Sequence, residues 1–197
     1  MASREAISQG SEGTALVNVL VAAGLSEGEA VSEAKENLGP GTDTTSASLA
    51  HILWALSHDT PLQDQLYDQL ESHGFPEQID ELEKIPLLVA CVKEGIRWTG
   101  AAAAVLPRVV PEGGFEFSGV YLPEGVSLAS VCQLILQTII STSPIWYLRD
   151  PKAFPQPTQF DPFRWVSADG ARFTIDAVRD RYYIPFSKGA NVCIGAQ

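Results

Sequence analysis

A single cysteine near the end of the chain, Cys193, has glycines on both sides, Gly189 and Gly195. Glycine lets the backbone approach a flat ligand closely and adopt conformations that other residues disfavour. A cysteine thiolate can ligate iron, and thiolate ligation of a haem favours cleavage of an O–O bond. The alternative is an ordinary apolar cysteine, since free cysteine is among the most buried residue types. The rest of the chain must decide between a thiolate ligand and a structural thiol.

Asp43 and Thr44 place a carboxylate beside a hydroxyl in the sequence Gly41-Thr42-Asp43-Thr44-Thr45. Such a pair can hold water and relay protons. The alternative is structural, because Thr42 and Asp43 could cap a helix after the break at Pro40.

Glu94 and Arg97 are three residues apart in an apolar stretch with helical periodicity. At this spacing two side chains share one helix face and can form an ion pair. A pair of this kind is most often solvated and then contributes little to stability. The spacing alone therefore predicts contact between the two side chains but not burial.

The cysteine loop resembles the haem-binding loop of the cytochrome P450 family, F-x-x-G-x-R-x-C-x-G. Phe186, Gly189, Cys193 and Gly195 match this pattern, and Asn191 stands where it has arginine. The resemblance implies that Cys193 is the axial ligand of a haem iron. It also implies that Phe186, Gly189 and Gly195 contact the cofactor.

The Glu-x-x-Arg pair is similar to a structural signature of the same family. In that family the pair holds the core behind the haem loop together with an arginine from a later aromatic and proline-rich segment. Arg164, in Asp161-Pro162-Phe163-Arg164-Trp165, occupies the corresponding place. The resemblance thus assigns Glu94, Arg97 and Arg164 a structural role.

The segment around Asp43 and Thr44 resembles the oxygen-activation motif of the family's long central helix, with Pro40 in place of a small residue. This implies that Asp43 and Thr44 deliver protons. Pro107-Arg108 resembles the strand from which the family sends an arginine to a haem propionate. Because Asn191 is uncharged, Arg108 is the leading basic partner. The matching segments occur in the family's order, from residue 38 to residue 195.

Composition excludes several other classes of protein. Thirteen basic against twenty-four acidic residues give a net charge of -11, which disfavours nucleic acid as a partner. The three cysteines are widely spaced, so we predict no disulfide framework. The three histidines, His51, His58 and His73, show neither the spacing of a zinc site nor that of a Cys-His hydrolase. All three are interpreted as surface or core residues.

The element pattern predicts a mainly α fold with a small antiparallel β part, that is, a partial cytochrome P450 fold from the long central helix to the haem loop. Helices are predicted at 14–23, from Ser26 onward, from Pro61 to about Glu71, and at 87–98. At Gly39-Pro40-Gly41 the pattern indicates either two helices or one long, kinked helix. Strands are predicted at 105–110, 115–121 and 126–131, with a turn at 122–125, and an ordered irregular segment at 150–165.

We expect residues 1–13 to be a flexible N-terminus and residues 14–197 to form a partial haem-thiolate domain, with a possible insertion at 134–145. The resemblance implies a fungal secondary-metabolism monooxygenase that acts on a hydrophobic small molecule and receives electrons from an NADPH-dependent reductase. The alternative is an inactive, truncated fragment that at most binds haem or serves as an interaction module. No signal sequence or membrane anchor is evident in the sequence. An intracellular location is expected, although the family's full-length members sit on the endoplasmic reticulum membrane.

Overall fold

A computed structural model describes residues 15–107, 109–124, 141–189 and 192–196. The chain divides into two compact units, Met1–Ala47 and Ser48–Gln197. The helices in the described ranges are α1 (Leu16–Ala22), α2 (Glu27–Ser57), α3 (Thr60–Ser72), α4 (Ile79–Leu82), α5 (Pro86–Thr99), α6 (Pro144–Leu148) and α7 (Ala177–Tyr182). The strands are β1 (Leu106–Pro107), β2 (Phe115–Phe117), β3 (Val120–Leu122) and β4 (Ser141–Thr142). The predicted mainly α fold with a small antiparallel part is confirmed.

Helix α2 begins at the predicted capping box. The Glu29 carboxylate accepts hydrogen bonds from the Ser26 hydroxyl at 2.7 Å and from the Ser26 backbone N–H at 2.9 Å. These two bonds lower the pKa of Glu29 below its usual value, and the bond from the hydroxyl has the larger effect. The bond from the Ser26 N–H, together with that from the Glu29 N–H to Ser26 Oγ at 3.4 Å, makes the reciprocal pair of a capping box, which fixes the first turn of the helix.

Pro40 lies inside α2, which continues as one helix of 31 residues from Glu27 to Ser57. The predicted alternative of two separate helices is therefore wrong. Proline removes only one backbone donor from the helix, and the residues on both sides of it retain their own intrahelical donors. This continuity places Thr42, Asp43 and Thr44 in mid-helix, so the alternative in which Thr42 and Asp43 cap a helix is wrong.

Helix α3 is bounded by the residues that the sequence indicated. The Asp59 side chain accepts a hydrogen bond from the Leu62 N–H at 3.1 Å, and Pro61 occupies the first turn. At the other end, Gly74 adopts a left-handed conformation with φ of 73°, and the Phe75 N–H donates to the Leu70 carbonyl oxygen at 2.9 Å. This is a Schellman-type ending, which glycine favours because it lacks a Cβ.

Helix α5 forms the centre of the core of the second unit. Its residues Leu87, Ala90 and Cys91 are buried against α3 and against the irregular segment that contains Phe154 and Trp165. Phe154 is fully buried, which confirms that residues 150–165 form an ordered segment fixed by ring packing. The helix ends at Gly100, whose φ of 55° again favours glycine.

The strands form two antiparallel pairs, and one predicted assignment is wrong. Strand β1 pairs with β4, and β2 pairs with β3. Residues 115–121 were expected to be one strand, but they form a hairpin with Phe117 opposite Val120. Ser118 and Gly119 have φ of 50° and 78°, and positive φ at both central residues is what a type I′ hairpin turn requires. The predicted strand at 126–131 lies outside the described residues.

Candidate functional site

Glu94 and Arg97 form an ion pair in the interior of the second unit. Both side chains have 0% exposure. Arg97 Nε donates to Glu94 Oε2 at 2.8 Å and Nη2 donates to Oε1 at 2.7 Å, a bidentate arrangement. The contact that the three-residue spacing predicted is present. The pair is buried, unlike the solvated pair that the spacing alone would suggest. A charge removed from water must be fully partnered, so each group needs further hydrogen bonds.

The remaining Arg97 donors bind backbone carbonyl groups distant in sequence. Nη1 donates to the carbonyl oxygens of Leu148 and Pro157, each at 2.9 Å, and Nη2 donates to that of Gln159 at 3.0 Å. The guanidinium carbon lies 5.1 Å from the centre of the Phe154 ring. All five N–H groups of Arg97 are therefore used, and they attach the irregular segment to α5.

Glu94 accepts three further hydrogen bonds from the irregular segment. Its Oε1 accepts from the Asp161 backbone N–H at 2.9 Å and from Arg164 Nε at 3.3 Å, and its Oε2 accepts from Trp165 Nε1 at 3.0 Å. We call Glu94, Arg97, Asp161, Arg164 and Trp165 the Glu94 cluster. The structure thus brings the three residues of the predicted structural group together. Sequence reasoning missed Trp165, although a tryptophan next to Arg164 offers an indole N–H that needs a partner when buried.

Cys193 is exposed and is a free cysteine. Its backbone N–H donates to the Phe186 carbonyl oxygen at 2.9 Å, which closes the loop. Ser187 and Gly189 both have positive φ, 66° and 90°. No atom lies within 4 Å of the position that a Cβ on Gly189 would occupy, so the backbone there faces open space. An accessible thiol in the same loop as an unobstructed glycine backbone fits a flat, iron-bearing ligand.

Gly195 differs from what the sequence suggested. It has no positive φ, so a backbone conformation closed to other residues is not the reason for glycine at this position. A Cβ at Gly195 would lie 3.8 Å from Cys193 Sγ. The glycine therefore leaves space beside the sulfur.

Asp43 and Thr44 are exposed residues of the first unit, in the middle of α2. The Thr44 hydroxyl donates to the Pro40 carbonyl oxygen at 2.7 Å, and the Asp43 carbonyl oxygen accepts from Ser46 Oγ at 3.2 Å. The Thr44 hydroxyl proton is thus directed at the backbone, which leaves the lone pairs of Oγ1 available as acceptors. Arg108 and Asn191, the two positions compared for a basic contact, lie outside the described residues.

The two cysteines within the described ranges have different environments. Cys91 is buried in α5, and burial, with smaller contributions from Glu94 and Asp59, raises its pKa to about 12. A thiol in this environment keeps its proton at neutral pH and is a poor metal ligand. Cys132 lies outside the described residues.

His51 lies on α2, whereas His58 and His73 directly follow the last residues of α2 and α3. His58 Nδ1 is 2.8 Å from the Trp54 carbonyl oxygen, His73 Nδ1 is 2.7 Å from the Gln69 carbonyl oxygen, and His51 packs edge-on against Trp98. Across the described ranges, nowhere do three or more His, Cys, Asp or Glu side chains gather so as to hold a metal ion. Among the helices described above, none combines the length and hydropathy needed to cross a bilayer.

An open cleft of about 430 Å³ lies between α2 and α5 and is lined by Ala50, His51, Trp54 and Trp98. The Trp54 and Trp98 rings stack with their centres 5.9 Å apart. None of the candidate site residues lines this cleft. Cleft volume is therefore no guide to the chemistry here, whereas the exposed thiol and the buried ion pair are.

The profile of the family described as Cytochrome P450 matches residues 4–197 of this chain. The chain is 32% identical to a cytochrome P450 monooxygenase of Sordaria araneosa, over 83% of this chain and 30% of that relative. It is 31% identical to a fusicoccadiene C-8 hydroxylase of Alternaria brassicicola, over 83% of this chain and 29% of that relative. It is also 31% identical to an N-acetyltryptophan 6-hydroxylase of Emericella nidulans, over 83% of this chain and 30% of that relative. The chain thus spans about 30% of the length of these relatives.

Proposed function

Because this chain belongs to the cytochrome P450 family, we propose that it contributes the thiolate side of a haem monooxygenase, with Cys193 as the axial ligand of the iron. The observation that carries this proposal is the exposed Cys193 thiol in the same loop as the open backbone of Gly189. When bound, a thiolate-ligated haem supplies O–O bond cleavage.

The contrast between the two described cysteines supports Cys193 as the ligand. A thiolate, not a thiol, binds a metal, and a buried apolar environment opposes ionisation. Cys91 is in such an environment, with its pKa raised to about 12, whereas Cys193 is exposed. In this proposal Phe186, Gly189 and Gly195 shape the surface on which the ring lies, and Arg108 pairs with a propionate.

Asp43 and Thr44 are proposed to deliver protons. The Asp43 carboxylate is exposed, and Thr44 Oγ1 donates to the Pro40 carbonyl oxygen, so that water can donate to the lone pairs of Oγ1. A water held in this way, near an exposed carboxylate, is a suitable relay. The role assigned to these two residues is movement of a proton to dioxygen.

The Glu94 cluster is proposed to be structural. Each of its charges is neutralised within the cluster, and the Arg97 and Glu94 side chains have 0% exposure, so neither can exchange a proton readily with a substrate. Their contacts instead fix residues 148–165 against α5. This segment leads into α7 and then into the cysteine loop. The proposed role of the cluster is therefore to support the ligand loop from behind.

The overall reaction proposed is insertion of one oxygen atom into a hydrophobic small molecule of fungal secondary metabolism. The relatives from Alternaria brassicicola and Emericella nidulans are hydroxylases, which supports this reaction class. Two electrons per turnover would come from an NADPH-dependent reductase. Residues 14–197 are proposed to belong to one haem-thiolate domain.

The test is cofactor binding by matched cysteine variants. The chain is loaded with haem, reduced and treated with carbon monoxide, and its absorption is recorded. Cys193→Ala should abolish the thiolate-type absorption, whereas Cys91→Ala should retain it. Identical spectra of the two variants would refute the assignment of Cys193. Haem binding through Cys193 without product from a panel of hydrophobic substrates would instead favour a haem-binding module over a monooxygenase.

A further inference from the structure

Arg179 is a buried cation that the proposed haem site does not use. Only 5% of its surface is exposed, although it lies on the short helix α7. Its guanidinium donates to the Thr174 carbonyl oxygen at 2.7 Å, to the Thr174 hydroxyl at 3.1 Å and to the Arg164 carbonyl oxygen. It also pairs with the Asp180 carboxylate at 2.8 Å. These bonds attach α7 to the backbone of the segment that carries the Glu94 cluster.

The flat face of the same guanidinium lies against Trp165. The guanidinium carbon is 4.7 Å from the centre of the Trp165 ring, within the range of a cation–π contact. The ring is 3% exposed, and its N–H donates to Glu94 Oε2 at 3.0 Å. Its centre is 4.6 Å from that of Tyr183, which packs edge-on at 65°. Arg179 therefore packs on a ring that contacts both Glu94 and Tyr183.

Tyr183 connects this packing to the cysteine loop. It caps the end of α7, and its hydroxyl donates to the Lys93 carbonyl oxygen on α5 at 3.3 Å. Three residues later comes Phe186, whose carbonyl oxygen accepts the Cys193 N–H at 2.9 Å. The point at which the chain enters the loop is thus set by the contacts of Tyr183 with Trp165 and with α5.

We propose that Arg179 is a positioning residue for Cys193, acting through Trp165 and Tyr183. The planar fork of arginine binds two carbonyl oxygens at its edge while its face stacks on the indole, which the compact ammonium group of lysine cannot do. The inference rests on the proposed function only in that Cys193 is the haem ligand. The packing from Arg179 to Cys193 exists without the cofactor.

The test is hydrogen–deuterium exchange of the full chain without haem, resolved at the Cys193 amide. Arg179→Lys keeps the charge but loses the stacked fork, and Arg181→Lys is the matched control on the exposed side of the same helix. We expect about tenfold faster exchange at the Cys193 amide in Arg179→Lys, the effect of losing one hydrogen bond to a charged group. Amides of α5 should exchange at the wild-type rate in Arg179→Lys. Arg181→Lys should change the exchange rate neither at the Cys193 amide nor in α5.

Unchanged exchange at Cys193 in Arg179→Lys would overturn the proposal. An equal acceleration at Cys193 and throughout α5 would also overturn it, because Arg179 would then only add general stability. If Arg179→Lys does not fold, Tyr183→Phe, which removes only the hydroxyl bond to Lys93, should give a smaller acceleration confined to residues 184–196. Haem titration separates this inference from the proposed function, since equal haem binding by wild type and Cys193→Ala would refute the ligand assignment and leave the exchange result standing.

Discussion

Replacement of Glu94 by alanine should be the most destabilising single change in the Glu94 cluster. It removes the acceptor of five hydrogen bonds: two from Arg97 and one each from the Asp161 backbone, Arg164 and Trp165. It also leaves the Arg97 guanidinium, at 0% exposure, without its counter-charge. Breaking a buried ion pair in this way costs about 3–5 kcal/mol, a large part of the about 5–15 kcal/mol by which domains are stable.

Arg164→Ala should cost less, about 1–3 kcal/mol, because Arg164 gives Glu94 only one hydrogen bond, at 3.3 Å. Lys84→Ala provides the control. Lys84 and Glu81 form an ion pair with the same three-residue spacing, at 2.6 Å, but with side chains 63% and 56% exposed. An exposed pair contributes about 0–1 kcal/mol.

The assay is urea unfolding followed by tryptophan fluorescence, with the free energy of unfolding taken from the midpoint and slope. The expected order of destabilisation is Glu94→Ala, then Arg164→Ala, then Lys84→Ala. The double variant Glu94→Ala/Arg164→Ala should lose less than the sum of the two single losses, because one contact is counted in both. A Glu94→Ala protein as stable as Lys84→Ala would refute the reasoning, since the Glu94 charge would then behave as a surface charge.

Two further predictions concern α5. Above pH 9.0 the unfolded chain releases the Cys91 proton that the folded chain keeps up to a pKa of about 12. The free energy of unfolding should therefore fall by up to about 1.4 kcal/mol per pH unit from this group, and Cys91→Ala should flatten the fall measured by urea titration. Gly95→Ala should lower the melting temperature, because the added Cβ would overlap Ile52 Cγ1 and overpacking costs about 1–3 kcal/mol. Gly39 lies in α2 with open space around it, so Gly39→Ala should not lower the melting temperature. Equal effects of the two substitutions would contradict this packing argument.

The parts of the fold that follow from local physical chemistry were predictable from the sequence. The Ser26 and Glu29 capping box, Pro61 in a first turn, and the apolar face of α5 each determine a boundary through neighbouring residues. The short helices α4, α6 and α7, of four to six residues, were not predicted because they span too few turns to show periodicity. The expectation of a single strand at 115–121 is wrong because the proline and glycine at 122–125 pointed to a later turn, whereas Ser118 and Gly119 form the turn of the hairpin.

The candidate site was predictable only where the contacts are between residues close in sequence. The spacing of Glu94 and Arg97 indicates contact, but their burial depends on carbonyl groups 51 to 62 residues away. The partners of Trp165 and most of those of Arg179 lie in other elements, so the sequence around each residue does not identify them. The role of Cys193 was suggested by its glycines and by the family pattern, and it stays a prediction.

The Glu94 cluster also has a consequence for the order in which the chain acquires structure during synthesis. Glu94 and Trp165 are 71 residues apart, so at about 5–20 residues per second the ribosome adds the indole roughly 4–14 s after the carboxylate. During that interval α5 carries a carboxylate and a guanidinium whose distant partners do not yet exist, and the two groups stay hydrated. Closing a loop of this length is entropically slow. Dehydration of the ion pair is therefore a late event, and the cysteine loop, which is synthesised later still, forms on a support that has only just been completed.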